Sequence, residues 1–413
     1  MNRIAFYGMP GSRVAGRRPT MVRRMSLMGL VLMGLLLLGY AGIISAARTR
    51  PAAAESPTTP AAAVQPFVNN HTLAGAVMLV ASSNRVLSLQ AVGYMDIAQK
   101  RPMRTDALFW IASQSKPMTA TALMMLVDEG KVNVNDPVDK YLPEFKGQWL
   151  KAEEVAGHML LKRPAHPITV KNVLNHTSGL PFSSPLEQPT YDVLPLAARV
   201  RSYAMLPLEF EPDSKYQYSN AGINTAGRII EVVSGMPYQQ FMEQRLFRPL
   251  RMKDTTFWPS SRQVQRLAKS YKANAAKTGL EETTVTQLRY PLTDHTREPI
   301  PAGGLFSTAS DVARFCQMIL NGGTLDGRRY LSEAAVKQMT TKETPDSVTE
   351  KYGFGWSVGD GEFGHGGAYA TNMTIDPSHR LVFIWMVQHA SFPGDGATSR
   401  DAFMRVAKAA FSK

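Results

Sequence analysis

The sequence predicts an α/β fold in which an antiparallel sheet is flanked by helices and a mostly helical subdomain is inserted into the chain. Short β-prone runs occur near both ends of the folded part, at about residues 66–130 and 298–413. Between them, residues 131–297 combine helical periodicity with long polar loops and show no clear series of strands. Strands from the two ends are expected to meet in a single sheet, with the helical part inserted between them.

The first 54 residues are predicted to be a signal peptide or a membrane anchor, outside the fold. They contain eight arginines and no acidic residue, and residues 26–47 carry no charge. A basic segment followed by an apolar run is typical of an export signal, and 22 uncharged residues are also long enough to span a bilayer as a membrane tether. The N-terminal basic residues predict that the rest of the chain is exported, either periplasmic or anchored to the membrane outside the cytoplasm. Residues 55–65, rich in proline, alanine and threonine, are predicted to be a linker, so that the fold begins at about residue 66.

The positive charge of the chain does not indicate a nucleic-acid partner. The formal net charge is +13, but outside the first 54 residues 38 basic residues are balanced by 33 acidic ones. No zinc-finger, helix-turn-helix or RNA-recognition pattern accompanies them.

The single cysteine, Cys316, excludes an internal disulfide and a cysteine-based metal site, and the histidines show no metal-ligand spacing. We therefore expect no nucleic acid, no metal and no cofactor.

Local patterns predict the individual elements. Residues 74–81 and 86–92 are β-prone runs separated by Ser-Ser-Asn-Arg, which predicts an antiparallel hairpin. After Ser113, apolar residues recur at helical intervals up to Gly130, which predicts a buried helix. Two helical stretches in the insertion, three C-terminal strands and a final helix are predicted at residues 196–205, 221–246, 355–358, 370–375, 381–387 and 399–411.

A Ser-x-x-Lys spacing, Ser113 to Lys116, stands at the start of the buried helix. Residues three apart share a helix face, so the Lys116 amine is expected within hydrogen-bond reach of the Ser113 hydroxyl. The helix N-terminus adds free N–H groups and positive potential beside a developing oxyanion, which suits nucleophilic catalysis. Taken alone, the same spacing is more typical of a helix cap followed by a surface lysine.

Two further motifs supply groups that this chemistry needs. Tyr218 and Asn220 form a Tyr-x-Asn motif, in which the phenol can exchange protons with a serine and the amide can hold both an amine and a substrate carbonyl. Residues 364–368, Gly-His-Gly-Gly-Ala, lead into a predicted strand. Their glycines allow close approach of a substrate, and the Ala368 N–H is a candidate oxyanion donor.

In this order, Ser-x-x-Lys, Tyr-x-Asn and His-x-Gly resemble the motifs of the serine β-lactamase and penicillin-binding protein superfamily. The Tyr-x-Asn motif makes the chain most similar to class C β-lactamases, D-alanyl-D-alanine carboxypeptidases, D-aminopeptidases and family VIII carboxylesterases. Further similarity lies in residues 175–181, 301–311 and 352–356. The resemblance implies a β-lactamase/transpeptidase-like serine hydrolase domain over residues 66–413.

The resemblance also implies a role for each motif residue. Ser113 would be the nucleophile, and Lys116 and Tyr218 the acid/base pair. Asn220 would position the substrate and the lysine. The oxyanion hole and the substrate-binding strand would be formed by Ser113, His365, Gly366, Gly367 and Ala368. His176, within residues 175–181, is interpreted as a local hydrogen-bonding residue rather than a catalytic base.

The third motif departs from the class C β-lactamases, in which it normally begins with lysine and not with a residue such as His365. A lysine is a permanent cation that can hold a substrate carboxylate, whereas a histidine with a pKa near ~6.5 is mostly neutral at pH 7. The resemblance therefore implies a carboxylesterase-like serine acyl hydrolase that cleaves a small-molecule ester or amide through an acyl-Ser113 intermediate. A β-lactamase, or a D,D-carboxypeptidase or D-aminopeptidase acting on short peptides, is the alternative. A catalytically silent binding or scaffold protein is a more remote one.

Overall fold

The computed structural model describes residues 58–412. The α-helices within this range are α1 (Pro60–Asn69), α2 (Ser115–Asp128), α3 (Val170–Asn175), α4 (Leu196–Ala204), α5 (Asn220–Ser234), α6 (Tyr238–Phe241), α7 (Ser261–Val264), α8 (Ala309–Leu320), α9 (Glu333–Thr340) and α10 (Ser399–Phe411). The strands are β1 (Gly75–Ser82), β2 (Val86–Asp96), β3 (Arg101–Pro102), β4 (Phe109–Trp110), β5 (Leu150–Val155), β6 (His158–Lys162), β7 (Ser270–Ala273), β8 (Leu280–Thr283), β9 (Phe306–Ser307), β10 (Thr324–Leu325), β11 (Arg328–Arg329), β12 (Ser357–Val358), β13 (Phe363–Gly366), β14 (Asn372–Asp376) and β15 (Leu381–Met386).

One sheet contains seven strands in the order β12-β13-β14-β15-β1-β2-β3, with every neighbouring pair antiparallel. Strands β1 and β15 come from opposite ends of the folded chain and pair at the centre, with Val77 opposite Met386. Both strands are buried almost throughout, because helices cover the two faces of the sheet. The prediction of an antiparallel sheet built from both ends of the chain and flanked by helices is confirmed.

Alternate residues of β15 belong to two different apolar clusters, one on each face of the sheet. Phe383 and Trp385 face α1 and α10, and the Trp385 ring stacks on Phe403 of α10 with 5.8 Å between centroids. Val382 and Ile384 belong to the larger cluster, which includes apolar residues of α2, α5 and α8. This alternation is what a strand covered on both sides requires, since successive side chains point to opposite faces.

The predicted linker at residues 55–65 is wrong from Pro60 onward, because α1 begins there. The Thr59 side chain caps the helix by accepting a hydrogen bond from the Ala62 N–H, and proline suits the first turn because its missing N–H has no partner there anyway. Val64 is fully buried in the cluster between α1, α10 and the sheet. A proline- and alanine-rich composition therefore forms a packed helix here, because tertiary burial decides its structure.

The insertion at residues 131–297 is mostly helical but contains two hairpins, β5–β6 and β7–β8, that the sequence did not predict. Every residue of β6 is exposed, so this strand lacks the alternation of buried and exposed positions from which strands are recognised. The helix predicted at residues 221–246 is interrupted at Gly235, whose φ of 68° ends α5 in a left-handed cap.

Two buried arginines hold the segment of residues 297–302. Arg297 Nε donates to a carboxylate oxygen of Asp192 at 2.7 Å, and both side chains are buried. Arg199, also fully buried, donates from Nη1 to the Pro299 carbonyl at 2.9 Å. The position of this segment therefore depends on two guanidinium groups that are almost completely removed from water.

Within residues 58–412, no helix combines the length and the apolar character needed to cross a membrane. The predictions for residues 1–54, including the apolar run at residues 26–47, lie outside the described residues. They stay predictions, as does the linker prediction for residues 55–57.

We predict that Asp192→Ala lowers the free energy of unfolding by about 3–5 kcal/mol, because it leaves the Arg297 charge buried without a carboxylate. Urea denaturation with linear extrapolation measures this loss. The matched control is Glu281→Ala, which removes an exposed partner 2.9 Å from Lys272 and is expected to cost less than about 1 kcal/mol. Equal losses in the two variants would contradict the importance of the buried pair.

Candidate active site

Ser113 lies in a short turn immediately before α2 and is the accessible residue of a buried stretch. Residues 111–112 and 114–116 are buried, whereas Ser113 is half-buried. Its neighbour Ala112 has a φ of 46°, in the left-handed region that residues with a side chain seldom adopt. Such strain persists only where the surrounding structure enforces it, and it is concentrated at functional sites.

Lys116, in the first turn of α2, brings the first two sequence motifs together. Its Nζ lies 3.1 Å from Ser113 Oγ, 2.8 Å from Asn220 Oδ1 and 2.8 Å from the carbonyl oxygen of Ala302. Asn220 is the first residue of α5, and Ala302 belongs to the segment held by the buried arginines. The predicted contact between Lys116 and Ser113 is therefore present, and the structure adds Ala302, which the sequence did not assign to the site.

The environment of Lys116 favours a neutral amine. The side chain is completely buried, and burial lowers its pKa well below the ordinary value for lysine, since no carboxylate in the described part of the chain opposes this effect. A neutral amine has two N–H donors and one lone pair. The oxygens of Asn220 and Ala302 can take the two donors, which leaves the lone pair for the hydroxyl proton of Ser113.

Tyr218 lies beside Ser113 and Lys116, with its ring centroid 4.6 Å from Lys116 Nζ. Burial raises the pKa of Tyr218 above its ordinary value, although its interaction with the nearby Ser113 hydroxyl opposes the rise. The phenol is therefore held in its protonated form, and it can donate a proton to an atom bound beside Ser113.

His365 is the third residue of β13 and is buried beside Tyr218, with 6.1 Å between the ring centroids. Its Nδ1 lies 2.7 Å from the Gly366 carbonyl, so Nδ1 donates, and its Nε2 accepts from the Tyr352 hydroxyl at 3.0 Å. A neutral imidazole with its proton on Nδ1 satisfies both contacts. Burial is the main cause that lowers the pKa of His365 to about 3, and a proton on Lys116 would lower it further.

The glycines after His365 allow strand β13 to approach the Ser113 turn. A Cβ on Gly367 would lie 2.5 Å from the Ile111 carbonyl oxygen, so a side chain cannot be accommodated without movement. The Gly367 N–H donates to the Thr371 carbonyl at 2.8 Å, and Ala368 follows at the exposed start of the next turn. Strand β13 therefore passes close to the turn that precedes Ser113, and the role of the Ala368 N–H as an oxyanion donor stays a prediction.

Three residues near the site were given no catalytic role from the sequence. The His176 ring lies between Tyr218 and Tyr352, with centroids 4.6 and 4.7 Å away. The Phe182 ring lies 6.4 Å from that of Tyr218. One signal in the sequence pointed to these three residues, namely their place within or next to the two stretches that resemble the family, residues 175–181 and 352–356. His176 and Tyr352 lie within these stretches, and Phe182 follows the first of them.

The described residues contain no group of three or more histidine, cysteine, aspartate or glutamate side chains arranged to hold a metal ion. Cys316 is buried in α8, where burial raises the pKa of its thiol, and its sulfur contacts Met373 at 3.6 Å. The groups assembled around Ser113 are instead an amine, a phenol and an amide. Such groups can accept, donate and position protons around a nucleophilic hydroxyl.

A family model, several relatives and a solved structure each match most of this chain. A family model described as Beta-lactamase matches residues 61–407. Protein Rv1367c from Mycobacterium tuberculosis is 32% identical over 356 residues, which cover 77% of this chain and 86% of that protein. A putative D-alanyl-D-alanine carboxypeptidase from Salmonella typhimurium is 27% identical over 349 residues, covering 74% of this chain and 77% of that one. The solved structure of EstCE1, described as a hydrolase with promiscuous acyltransferase activity, has a TM-score of 0.70 at 24% identity, covering 83% of this chain and 96% of that one, and this likeness shows the fold alone.

We predict that the rate at which a fluorophosphonate labels Ser113 rises with pH, with a midpoint well below the ordinary lysine value of about 10.4. At low pH Lys116 is protonated and cannot accept the Ser113 proton; as the pH rises through its lowered pKa, the neutral amine appears and labelling accelerates. Labelling time courses measured across about pH 5 to 10 check this expectation. The control Lys116→Met should label slowly and without this pH dependence, and a wild-type rate that rises only near the ordinary lysine value would contradict the assignment.

Proposed function

Because the chain belongs to the beta-lactamase family, we propose that it is a serine acyl hydrolase that cleaves an uncharged ester through an acyl-Ser113 intermediate, as a carboxylesterase does. The observation that carries the proposal is the state of His365. Both nitrogens of this imidazole are hydrogen-bonded within the protein, and burial keeps it neutral.

A neutral His365 favours esters over β-lactams and peptide C-termini, because the latter carry a carboxylate that needs a cation. The lysine that normally begins this motif in class C β-lactamases is such a cation. Here the imidazole offers neither a charge nor a free N–H, since its donor is used by Gly366 and its acceptor by Tyr352. The buried Lys116 is no substitute, because its pKa is lowered as well.

Acylation of Ser113 follows from the positions of the amine and the phenol. Ser113 Oγ forms a bond to the ester carbonyl carbon while its proton passes to Lys116, 3.1 Å away. The electron pair of the carbonyl moves to the oxygen, for which the N–H groups of Ser113 and Ala368 are the proposed donors. When the carbonyl reforms, the bond to the alcohol breaks, Tyr218 protonates the departing oxygen, and the Lys116 proton replaces the one that Tyr218 has given.

Deacylation uses the same groups in reverse. A water molecule takes the position of the departed alcohol and loses a proton to the Tyr218 and Lys116 pair while its oxygen bonds to the acyl carbon. The bond from that carbon to Ser113 Oγ then breaks, the proton returns to Ser113, and the carboxylic acid leaves. Loss of an acid/base group of this kind reduces rates by about 10²–10⁴-fold in other enzymes.

Phe182 supports an apolar group on the substrate. Its carbonyl accepts hydrogen bonds from the N–H groups of Asn220 and Ala221, at 3.0 and 3.1 Å, so its backbone is fixed to the Tyr-x-Asn motif. Its ring is nevertheless 43% exposed. A rigidly held aromatic ring that stays exposed beside Tyr218 is suited to contact an apolar acyl or alcohol group.

The proposed partners are small molecules, and the proposed location is outside the cytoplasm. One relative is named as a putative D-alanyl-D-alanine carboxypeptidase, a name that states a short-peptide substrate, and this supports a small substrate here. Export and a membrane tether rest on residues 1–54 alone, and we keep both as proposals.

We predict that the full-length chain hydrolyses p-nitrophenyl butyrate and leaves a chromogenic cephalosporin unchanged. Ser113→Ala should reduce ester turnover by at least about 10³-fold, since it removes the nucleophile. Absorbance assays of both substrates, with wild type and variant at equal concentration, measure this.

Each result has a separate meaning. Rapid Ser113-dependent cephalosporin hydrolysis would make the protein a β-lactamase and refute the His365 argument. Ester turnover retained by Ser113→Ala would refute the nucleophile. A stable acyl-Ser113 adduct without turnover, seen by intact mass, would favour the binding-protein alternative.

We further predict that Phe182→Ala lowers kcat/KM about tenfold for p-nitrophenyl octanoate but less than about twofold for the acetate, because only the longer chain reaches the aromatic ring. Steady-state kinetics over the ester series tests this. The matched control is Leu160→Ala, which shortens an exposed apolar residue on hairpin β5–β6. An equal loss for both esters in Phe182→Ala would show that Phe182 does not contact the acyl chain.

A further inference from the structure

His176 is buried at the end of α3 between two tyrosines and has no role in the mechanism above. It is 1% exposed and has a φ of 64°, so it forms the left-handed cap of the helix. Among residues with a side chain, asparagine, aspartate and histidine adopt this backbone region most readily. The helix end therefore accepts a histidine but does not require one, since asparagine would serve it as well.

His176 holds the backbone on both sides of Tyr218. Its carbonyl oxygen accepts from the Gln217 N–H at 2.9 Å, and its Nδ1 accepts from the Ser219 N–H at 3.2 Å. These two donors are the peptide groups that flank Tyr218 in sequence. One residue thus fixes the chain immediately before and immediately after the phenol.

The His176 ring also contacts the side chains at the site. Its centroid lies 4.6 Å from that of Tyr218, with the rings tilted by 47°. The Tyr352 ring lies 4.7 Å away on another side, and the Tyr352 hydroxyl donates to His365. From these contacts, and resting on the proposed function, we infer that His176 is a positioning residue that holds the Tyr218 phenol at Ser113 and connects it with the third motif.

The inference requires a neutral imidazole with its proton on Nε2, since Nδ1 accepts from the Ser219 N–H. Nε2 is buried and has no hydrogen-bond partner among residues 58–412. The titratable groups around the ring are Lys116, Tyr216, Tyr218, Tyr352 and His365. Burial lowers the pKa of His176 well below its ordinary value, and a proton on Lys116 or His365 would lower it further, so nothing near it favours the imidazolium.

The test separates the ring from the hydrogen bond. His176→Asn keeps the left-handed backbone and an acceptor for the Ser219 N–H but removes the ring, whereas His176→Phe keeps a ring and removes the acceptor. With p-nitrophenyl butyrate and the full-length chain, at least one variant should lower kcat about 10- to 100-fold, with KM within about twofold. In a Tyr218→Phe background the same substitution should change kcat by less than about twofold, because its effect passes through the phenol.

The matched control is His389→Asn, which changes another fully buried histidine, stacked on Phe392 and accepting from the Ala74 N–H at 3.1 Å. This variant should lower the Tm while kcat stays within about twofold of wild type. Unchanged kcat in both His176 variants would overturn the inference. An equal loss in the Tyr218→Phe background would overturn it too.

A second measurement does not depend on turnover. In 15N-histidine NMR of the full-length chain, with the signal assigned by its absence in His176→Asn, His176 should show an unprotonated Nδ1 and a protonated Nε2 at about pH 6, below the ordinary histidine pKa. Its ring protons should show Overhauser contacts to Tyr218. An imidazolium signal, or the absence of these contacts, would refute the positioning role even if the ester assay failed and the proposed function with it.

Discussion

The burial of the Lys116 amine is the constraint on which the rest of the site depends. The amine is removed from water and has three oxygen neighbours, which come from the turn before its own helix, from α5 and from the segment of residues 297–302. A polar group in such surroundings is tolerated only when its hydrogen bonds are met. The sheet part and the helical insertion must therefore be packed together before Lys116 has its partners.

The position of the Ala302 carbonyl, one of the three oxygen neighbours of the Lys116 amine, depends on several other contacts. The carbonyl of its neighbour Pro301 accepts from the Thr119 hydroxyl at 2.7 Å, and the Ala302 N–H donates to Asn224 at 3.0 Å. Thr119 lies one turn beyond Lys116 on α2, and Asn224 one turn beyond Asn220 on α5. Helix α2 supplies the Lys116 amine and α5 supplies the Asn220 amide. The same two helices also hold the backbone at residues 301–302, whose Ala302 carbonyl is the third oxygen neighbour of the amine.

The sequence predicted the parts of this arrangement that depend on local spacing. Ser113 and Lys116 are three residues apart where a helical turn leads into α2, so their contact follows from local helical geometry. The central strands were evident from their apolar runs. It did not predict helix α1, because Ala- and Pro-rich residues become helical there only through burial of residues such as Val64. It also could not predict the contact of Lys116 with Ala302, which joins positions 186 residues apart.

One physical cause explains the opposite protonation states of the two residues that flank Ser113. Removal from water disfavours whichever form is charged, so it lowers the pKa of an amine and raises the pKa of a phenol. A neutral Lys116 can accept a proton and a protonated Tyr218 can donate one, and no carboxylate within residues 58–412 contributes to either pKa shift. His365 obeys the same rule, and its neutrality has the same origin as the neutral state of the Lys116 amine. A change that admitted water to this cluster would return all three groups toward their ordinary states together, so their protonation states are coupled by the burial that they share.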